Sequence, residues 1–338
     1  MGMKAFQYER PATLDEAIAL LAPADPAEDG RHLTKALAGG TDLLTLMKDE
    51  IVRPGHLVDL KRLPELDDTI ELTTEGLRIG ALATLAELQS HPLVRDTHPA
   101  LAEAAAVAAT PQLRNMATLG GNLLQRPRCW YFRDEEVDCW LKGGESCPAA
   151  EGENQYHAIL GESPCRAVHP SDPATALLAL DARVVVRGRD GERSVRIEEF
   201  FAEPTADRRT ETTLATDEVI VAIVIPDAPP ETRSTYLKAM DRAVWAFALV
   251  GAGVQLAVEN GTIAQVRVAL GGVATVPWRS VEAEAVLVGQ APGEEVFSAA
   301  ADAALAGAHP LARNGYKVAL AKALLVRALA ATTHPGGA

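Results

Sequence analysis

Several things are missing from this chain of 338 residues. No window approaches the roughly 18 to 20 uninterrupted apolar residues that a membrane span requires. Met1 to Pro11 lacks a basic stretch followed by an apolar one, so no export signal is expected. Positive charge is scarce: 32 basic residues face 46 acidic ones, a formal charge of −14, which argues against nucleic acid because phosphate needs clustered Lys and Arg. Cysteine is scarcer still, with four residues, too few for a disulfide-built scaffold of this length. What is present, 48% hydrophobic and 23% charged residues, excludes disorder and collagen and supplies one large or two to three modest cores. The four cysteines do not scatter as small core residues should. Cys129, Cys139, Cys147 and Cys165 lie within 37 consecutive residues.

The N-terminal third alternates helical and extended signals. Thr13-Leu-Asp-Glu16 has the spacing in which a hydroxyl and a carboxylate satisfy free helix N–H groups, so a helix is expected over 14–22. Residues 34–38 read as a short buried strand ending in Gly39-Gly40. A helix follows over 42–50, with Leu43, Leu44 and Met47 on one face. Strands are expected at 56–60 and 77–81. Thr84 to Glu87 repeats the capping spacing, and the alanine-dense 100–109 is helical until Pro111 stops it. Leu119-Gly-Gly-Asn122 reads as a second glycine turn. Residues 126–164 then show neither period, and a stretch that long inside a compact domain usually has a function or a staple. Ser171-Asp-Pro opens a helix, Asp190-Gly191 a hairpin, 218–225 a strand, and 226–230 a boundary. Beyond it, a strand at 235–238 and a hairpin turning at Asn260-Gly261 precede a helix opened by Pro277 and two more over 299–306 and 318–330.

Adjacent glycines let backbone approach a ligand and present N–H groups to an anion, especially where a helix begins. Ala38-Gly-Gly-Thr-Asp42 is therefore a candidate pyrophosphate cradle and Leu119-Gly-Gly-Asn122 a candidate second wall, the plainer reading of each being a tight turn. Neither has the spacing of a Rossmann fingerprint or a P-loop.

Residues 4–21, the loop Ala38-Gly-Gly-Thr-Asp-Leu-Leu44, the run Leu113-Arg-Asn-Met-Ala-Thr-Leu-Gly-Gly-Asn-Leu-Leu124, Pro170-Ser-Asp172 and Gly271-Gly-Val-Ala274 together resemble the FAD-binding (medium) subunits of molybdenum hydroxylases. That family includes the flavin subunits of carbon monoxide dehydrogenase and of aldehyde and xanthine oxidoreductases. The resemblance implies an α+β chain. Its FAD-binding domain would be of the vanillyl-alcohol-oxidase type, over 1–228, with subdomains at about 1–61 and 62–228. An α+β C-terminal domain of the carbon monoxide dehydrogenase flavoprotein type would take 229–338. It implies FAD contacts from Ala36, Leu37, Ala38, Gly39, Gly40, Thr41, Asp42 and Leu43, and from Thr118, Gly121, Asn122 and Leu124. Asp172 would hold flavin-side hydroxyls, while Val219, Ile220 and Lys238 would pack near the isoalloxazine. For Lys238 the residues themselves are silent, and a solvated strand lysine fits equally.

The cysteine intervals of nine, seven and seventeen residues match neither zinc-ribbon pairs nor a ferredoxin run. Four thiolates would suit tetrahedral zinc or a cubane cluster equally, and composition does not choose. The segments Gln125 to Cys129, Tyr131 to Asp134 and Gly152 to Gly161 are similar to the insertion in periplasmic-type aldehyde oxidoreductase flavin subunits, which implies a [4Fe–4S] cluster on Cys129, Cys139, Cys147 and Cys165, within an insertion at about 126–165. Trp130, Tyr131, Phe132 and Trp140 would form a local core or shield the metal. His157 and His169 read as neutral, hydrogen-bonded residues, and Asp134 to Asp138 as a solvated loop.

The implied function is electron transfer without a catalytic side chain. A large molybdenum-cofactor subunit oxidises an aldehyde, a small [2Fe–2S] subunit passes the electrons on, and FAD delivers them to an external acceptor, in a heterotrimer that is cytoplasmic or co-exported with a signal-bearing partner. The alternatives are a flavin subunit of the 4-hydroxybenzoyl-CoA reductase or xanthine dehydrogenase type, a stand-alone flavin oxidase, and a zinc-stabilised assembly module.

Overall fold

The computed structural model describes residues 3–23 and 32–333. Twelve strands form three sheets among the described residues. The first is small and parallel, with β1 (Gln7–Glu9), β2 (Lys35–Leu37) and β3 (His56–Asp59) in the order β1-β3-β2. The second is antiparallel. It joins β4 (Ile70–Thr73), β5 (Gly76–Gly80), β6 (Arg183–Gly188), β7 (Gly191–Arg196) and β8 (Val219–Ile225) in the order β4-β5-β8-β6-β7. The third is an antiparallel sheet of β9 (Arg233–Ala239), β10 (Val250–Glu259), β11 (Thr262–Gly271) and β12 (Trp278–Arg279), in the reverse of their chain order.

Strand β8 shows why its sequence, Val-Ile-Val-Ala-Ile-Val-Ile, does not alternate: every residue in it is buried. Ile220, Ile223 and Ile225 enter the largest core, beneath the helices at Leu85–Ser90, Pro99–Val107 and Asp172–Ala179, while Val219 and Val221 pack with the helix Leu14–Leu21. A register shift against β6 leaves Val221 as the extra residue, so Ile220 shares a face with Ile223. The central strand thus binds the first sheet's layer to the second's. The third sheet has its own core with the helices Val281–Leu287, Glu294–Ala304 and Tyr316–Thr333.

Thr13 caps its helix as expected, but the Glu16 carboxylate accepts from Ala12 N–H at 2.7 Å rather than from the cap residue. Thr84 and Glu87 form a complete capping box. In the helix Leu43–Lys48 the buried residues are Leu46 and Met47, not Leu43 and Leu44. Pro111 does not stop the preceding helix, which ends at Val107. It occupies the first turn of the next helix, Pro111–Arg114, capped by Thr110, where a proline's missing N–H costs nothing. Pro277 likewise opens no helix, because Trp278–Arg279 pairs with β11 and Ser280 caps the helix that follows. Residues 126–164 carry only two single-turn 3-10 segments, Trp140–Lys142 and Pro148–Ala150.

Candidate functional site

The two Gly-Gly pairs meet at one cavity but adopt different structures. Gly39-Gly40 is a loop: Gly40 has φ +71°, and a Cβ on Gly39 would lie 1.8 Å from the Met116 carbonyl oxygen, so only glycine fits there. Gly120-Gly121 is not a turn. It lies inside the short helix Leu119–Leu123, whose cap Thr118 accepts from Gly121 N–H at 3.2 Å. Gly120 packs against Ala81, and an isolated bridge ties Thr118 to Thr84.

The cavity between them is lined by Ala36, Ala38, Gly39, Gly40, Thr41, Asp42, Leu43, Thr118, Gly121, Asn122, Leu124, Val219 and Ile220. Leu37, expected with them, is the last residue of β2 and is not part of that lining. Among the described residues no acceptor in the chain meets the amide N–H groups of Gly39, Gly40, Thr41, Asp42 or Leu43, and all five residues are half-buried. Such a row of free, partly desolvated donors fits a phosphate-bearing ligand, because an unpaired buried N–H is costly and an anion satisfies several at once. The residues present fit FAD on this ground.

Asp172 and Lys238 lie elsewhere. Lys238 is not a solvated strand lysine: its side chain is 1% exposed and its Nζ stands 2.8 Å from Asp172 Oδ2. Tyr236 Oη donates to Asp172 Oδ1 at 2.6 Å. Burial pushes the Asp172 carboxyl above its usual range against the pull of Lys238, and burial also raises the Tyr236 hydroxyl. Asp172 and Tyr236 help line a second cavity with Trp130, Tyr156, His157 and Phe247. Val219 and Ile220, expected beside the same ring as Lys238, are therefore set apart from it, in the glycine-lined cavity. Arg128 lines both cavities, and Asn122 meets Ser171 at 2.5 Å where they adjoin.

Asp42 departs most from expectation. Although it stands at the start of a helix, its carboxylate makes no cap. It turns to the cysteine segment, accepting from Arg126 N–H at 2.9 Å and Arg133 Nη2 at 2.7 Å and pairing with Arg128 Nη2 at 2.8 Å. Nothing in the one-dimensional pattern marked this clamp, since its members are more than 80 residues apart.

Cys129, Cys139, Cys147 and Cys165 are all free thiols. Cys129, Cys139 and Cys165 pack in one apolar nest with Phe132, Trp140, Leu46 and Ile51, and charges on Cys147 would be felt by Cys139 and Cys165. Burial pushes the Cys129 thiol up to about 12 and raises Cys139 and Cys165, while backbone N–H groups of Phe132, Leu141 and Ala167 turn toward the three sulfurs and favour thiolate. Among the described residues no group of three or more His, Cys, Asp and Glu side chains converges closely enough to hold a single metal ion. His157 Nε2 stands 3.2 Å from Cys129 Sγ, and burial, with Lys317 nearby, brings this histidine down to about 4. Burial brings His169 down to about 3, the Leu123 backbone opposing, so both are neutral at pH 7. Asp134, Glu135, Glu136 and Asp138 are exposed.

Residues 4–228 match the model of the FAD binding domain in molybdopterin dehydrogenase, and residues 235–332 match the CO dehydrogenase flavoprotein C-terminal domain. The chain belongs to this FAD-binding family. The aldehyde oxidoreductase FAD-binding subunit PaoB of Escherichia coli (strain K12) is 43% identical over 332 residues, covering 97% of this chain and 98% of that one. The carbon monoxide dehydrogenase medium chain of Hydrogenophaga pseudoflava is 32% identical, covering 96% of each. A solved structure of carbon monoxide dehydrogenase from H. pseudoflava, lacking the Mo-pyranopterin moiety of its molybdenum cofactor, aligns with TM-score 0.77 at 31% identity over 98% of each chain. As a member of the flavin family this chain is an FAD-binding oxidoreductase subunit of mixed α and β structure, and no helix among its described residues is long and apolar enough to cross a membrane.

Proposed function

We propose that this chain is the FAD and [4Fe–4S] electron-transfer subunit of a heterotrimeric molybdenum-dependent aldehyde oxidoreductase. The observation that carries the reading is the row of five unpaired amides at Gly39 to Leu43, tied by the Asp42 carboxylate to Arg126 and Arg133 of the cysteine segment. The loop amides and Thr41 would take the pyrophosphate. Arg128, common to both cavities, lets one extended dinucleotide touch each, with Val219 and Ile220 in the first compartment and Asp172 and Tyr236 lining the second, Asp172 backed by Lys238. FAD supplies the acceptance and release of electrons, while the chain's residues bind, orient and exclude water, so none is assigned as acid, base or nucleophile.

An all-sulfur donor set supports the cluster on Cys129, Cys139, Cys147 and Cys165. Its ligands bond separate irons, so it asks for a wider spacing than one tetrahedral zinc. The substrate class follows the similarity to the aldehyde oxidoreductase subunit, and with it a large molybdenum-cofactor subunit and a small [2Fe–2S] subunit as partners. We take 1–228, with its insertion at 126–165, and 229–338 as the two functional units. The test is the absorbance spectrum of the anaerobically purified complex, with flavin, iron and sulfide content. Flavin bands with broad iron–sulfur absorption, and four irons assigned to this subunit, are expected. Colourless subunit with stoichiometric zinc would sink the cluster, and absence of flavin would sink the whole reading.

A further inference from the structure

Of the four cysteines, only Cys129 lines the second cavity, and it does so beside His157. The histidine is held from several directions. Its N–H donates to Asn154 O at 3.0 Å, and its carbonyl accepts from Lys317 Nζ and Asn314 Nδ2, each at 3.0 Å. Trp130 packs edge-on against the ring at 5.3 Å. With the backbone and ring both fixed, Nε2 points at Cys129 Sγ across 3.2 Å, while the buried Nδ1 has no partner among the described residues. A ligating thiolate has no proton to give, so the hydrogen between the two belongs to the ring. The unpartnered Nδ1 agrees, since a buried N–H without an acceptor is rarer than an unpaired acceptor.

We infer that His157 is the positioning residue of the cluster: through Nε2–H it orients the Cys129 sulfur, the ligand that faces the cavity, and sets the potential at which the cluster takes an electron. The physical basis is charge. Reduction by one electron raises the negative charge on the ligand sulfurs, and an N–H donor aimed at one of them favours the reduced form. This rests on the proposed cluster, so the experiment separates the two.

In the purified complex, His157→Phe removes the donor and keeps a ring, and His157→Gln keeps a donor. Redox titration followed by electron paramagnetic resonance should give a more negative cluster potential for the Phe variant and partial return for Gln, with iron content unchanged. An unchanged potential in a fully loaded Phe variant overturns the inference and leaves the cluster standing. A wild-type complex with no iron in this subunit removes both. Should the Phe variant lose its iron, nitrogen coupling decides. The reduced wild-type cluster, prepared with 15N-histidine, should show a histidine nitrogen coupling that the Gln variant lacks. Identical spectra in the two overturn the inference.

Discussion

Gly39-Gly40 and Gly120-Gly121 are the same dipeptide on facing walls of one cavity, and they work in opposite ways. The first leaves its amides without an acceptor among the described residues and owes its glycines to a positive φ and to the Met116 carbonyl pressed against it. The second has both amides bonded within the chain, Gly120 N–H to the Ala81 carbonyl at 3.0 Å and Gly121 N–H to the Thr118 cap, and its Gly120 is small because Ala81 lies beneath. A Gly-Gly motif therefore signals close approach to neighbouring protein in both cases, with the amides left without an acceptor in the first and bonded within the chain in the second.

The strongest way to break the comparison is Gly39→Ala. Its Cβ meets backbone, which cannot rotate away, so a loss on the order of 3 kcal/mol is expected, together with loss of bound flavin. Denaturant midpoints and flavin-to-protein ratios read both. Next comes Asp42→Asn, which keeps the shape but weakens charge-assisted bonds to Arg126, Arg128 and Arg133 at a cost of about 2 kcal/mol. Iron content should fall with flavin content. Iron lost while flavin stays full would mean that the first loop stands free of the insertion.

Acid sharpens the contrast from the other wall. His169 sits against Leu123 at the end of the second glycine segment, with a folded pKa of about 3, against roughly 6.5 unfolded. Between those values the unfolded chain binds more protons, so its contribution to stability is complete above about pH 6.5 and drains away as pH falls toward 3. Thermal midpoints from pH 7 to 4 should fall, less steeply in His169→Phe. An equal slope in the variant would assign the acid sensitivity elsewhere. The smallest effect belongs to Gly121→Ala, where a gain in helix propensity of roughly 0.5–1 kcal/mol offsets crowding of Thr118 Oγ1 at 2.9 Å. The midpoint should barely move, and a stability loss as large as that of Gly39→Ala would erase the distinction between the pairs.

What was legible in the chain was local or regular. Thr13, Thr84 and Ser171 announce their helices because a cap is a bond over three residues. Asn260-Gly261 announces its hairpin because both residues need positive φ. The clustering of cysteines pointed to the nest for a similar reason, lying within one segment. Illegible features were those made by distant partners. Nothing local tied the Asp42 carboxylate to Arg126 and Arg133, and Lys238 looked exposable until Asp172 was opposite. Strand β4 passed unnoticed because three of its four residues are exposed and offer no apolar period.

Lys317 has a consequence for anyone moving these parts between proteins. Its ammonium is fully buried and spans three carbonyls, those of Tyr156, His157 and Gly272, while Asn314, at the entry to the same helix, holds His157 and Ala158. Residues 126–165 are thus no cassette. A graft into a relative without the segment must carry Asp42 from before it and Asn314 and Lys317 from some 150 residues after it, or the transplanted cysteines will arrive without the scaffold that aims them.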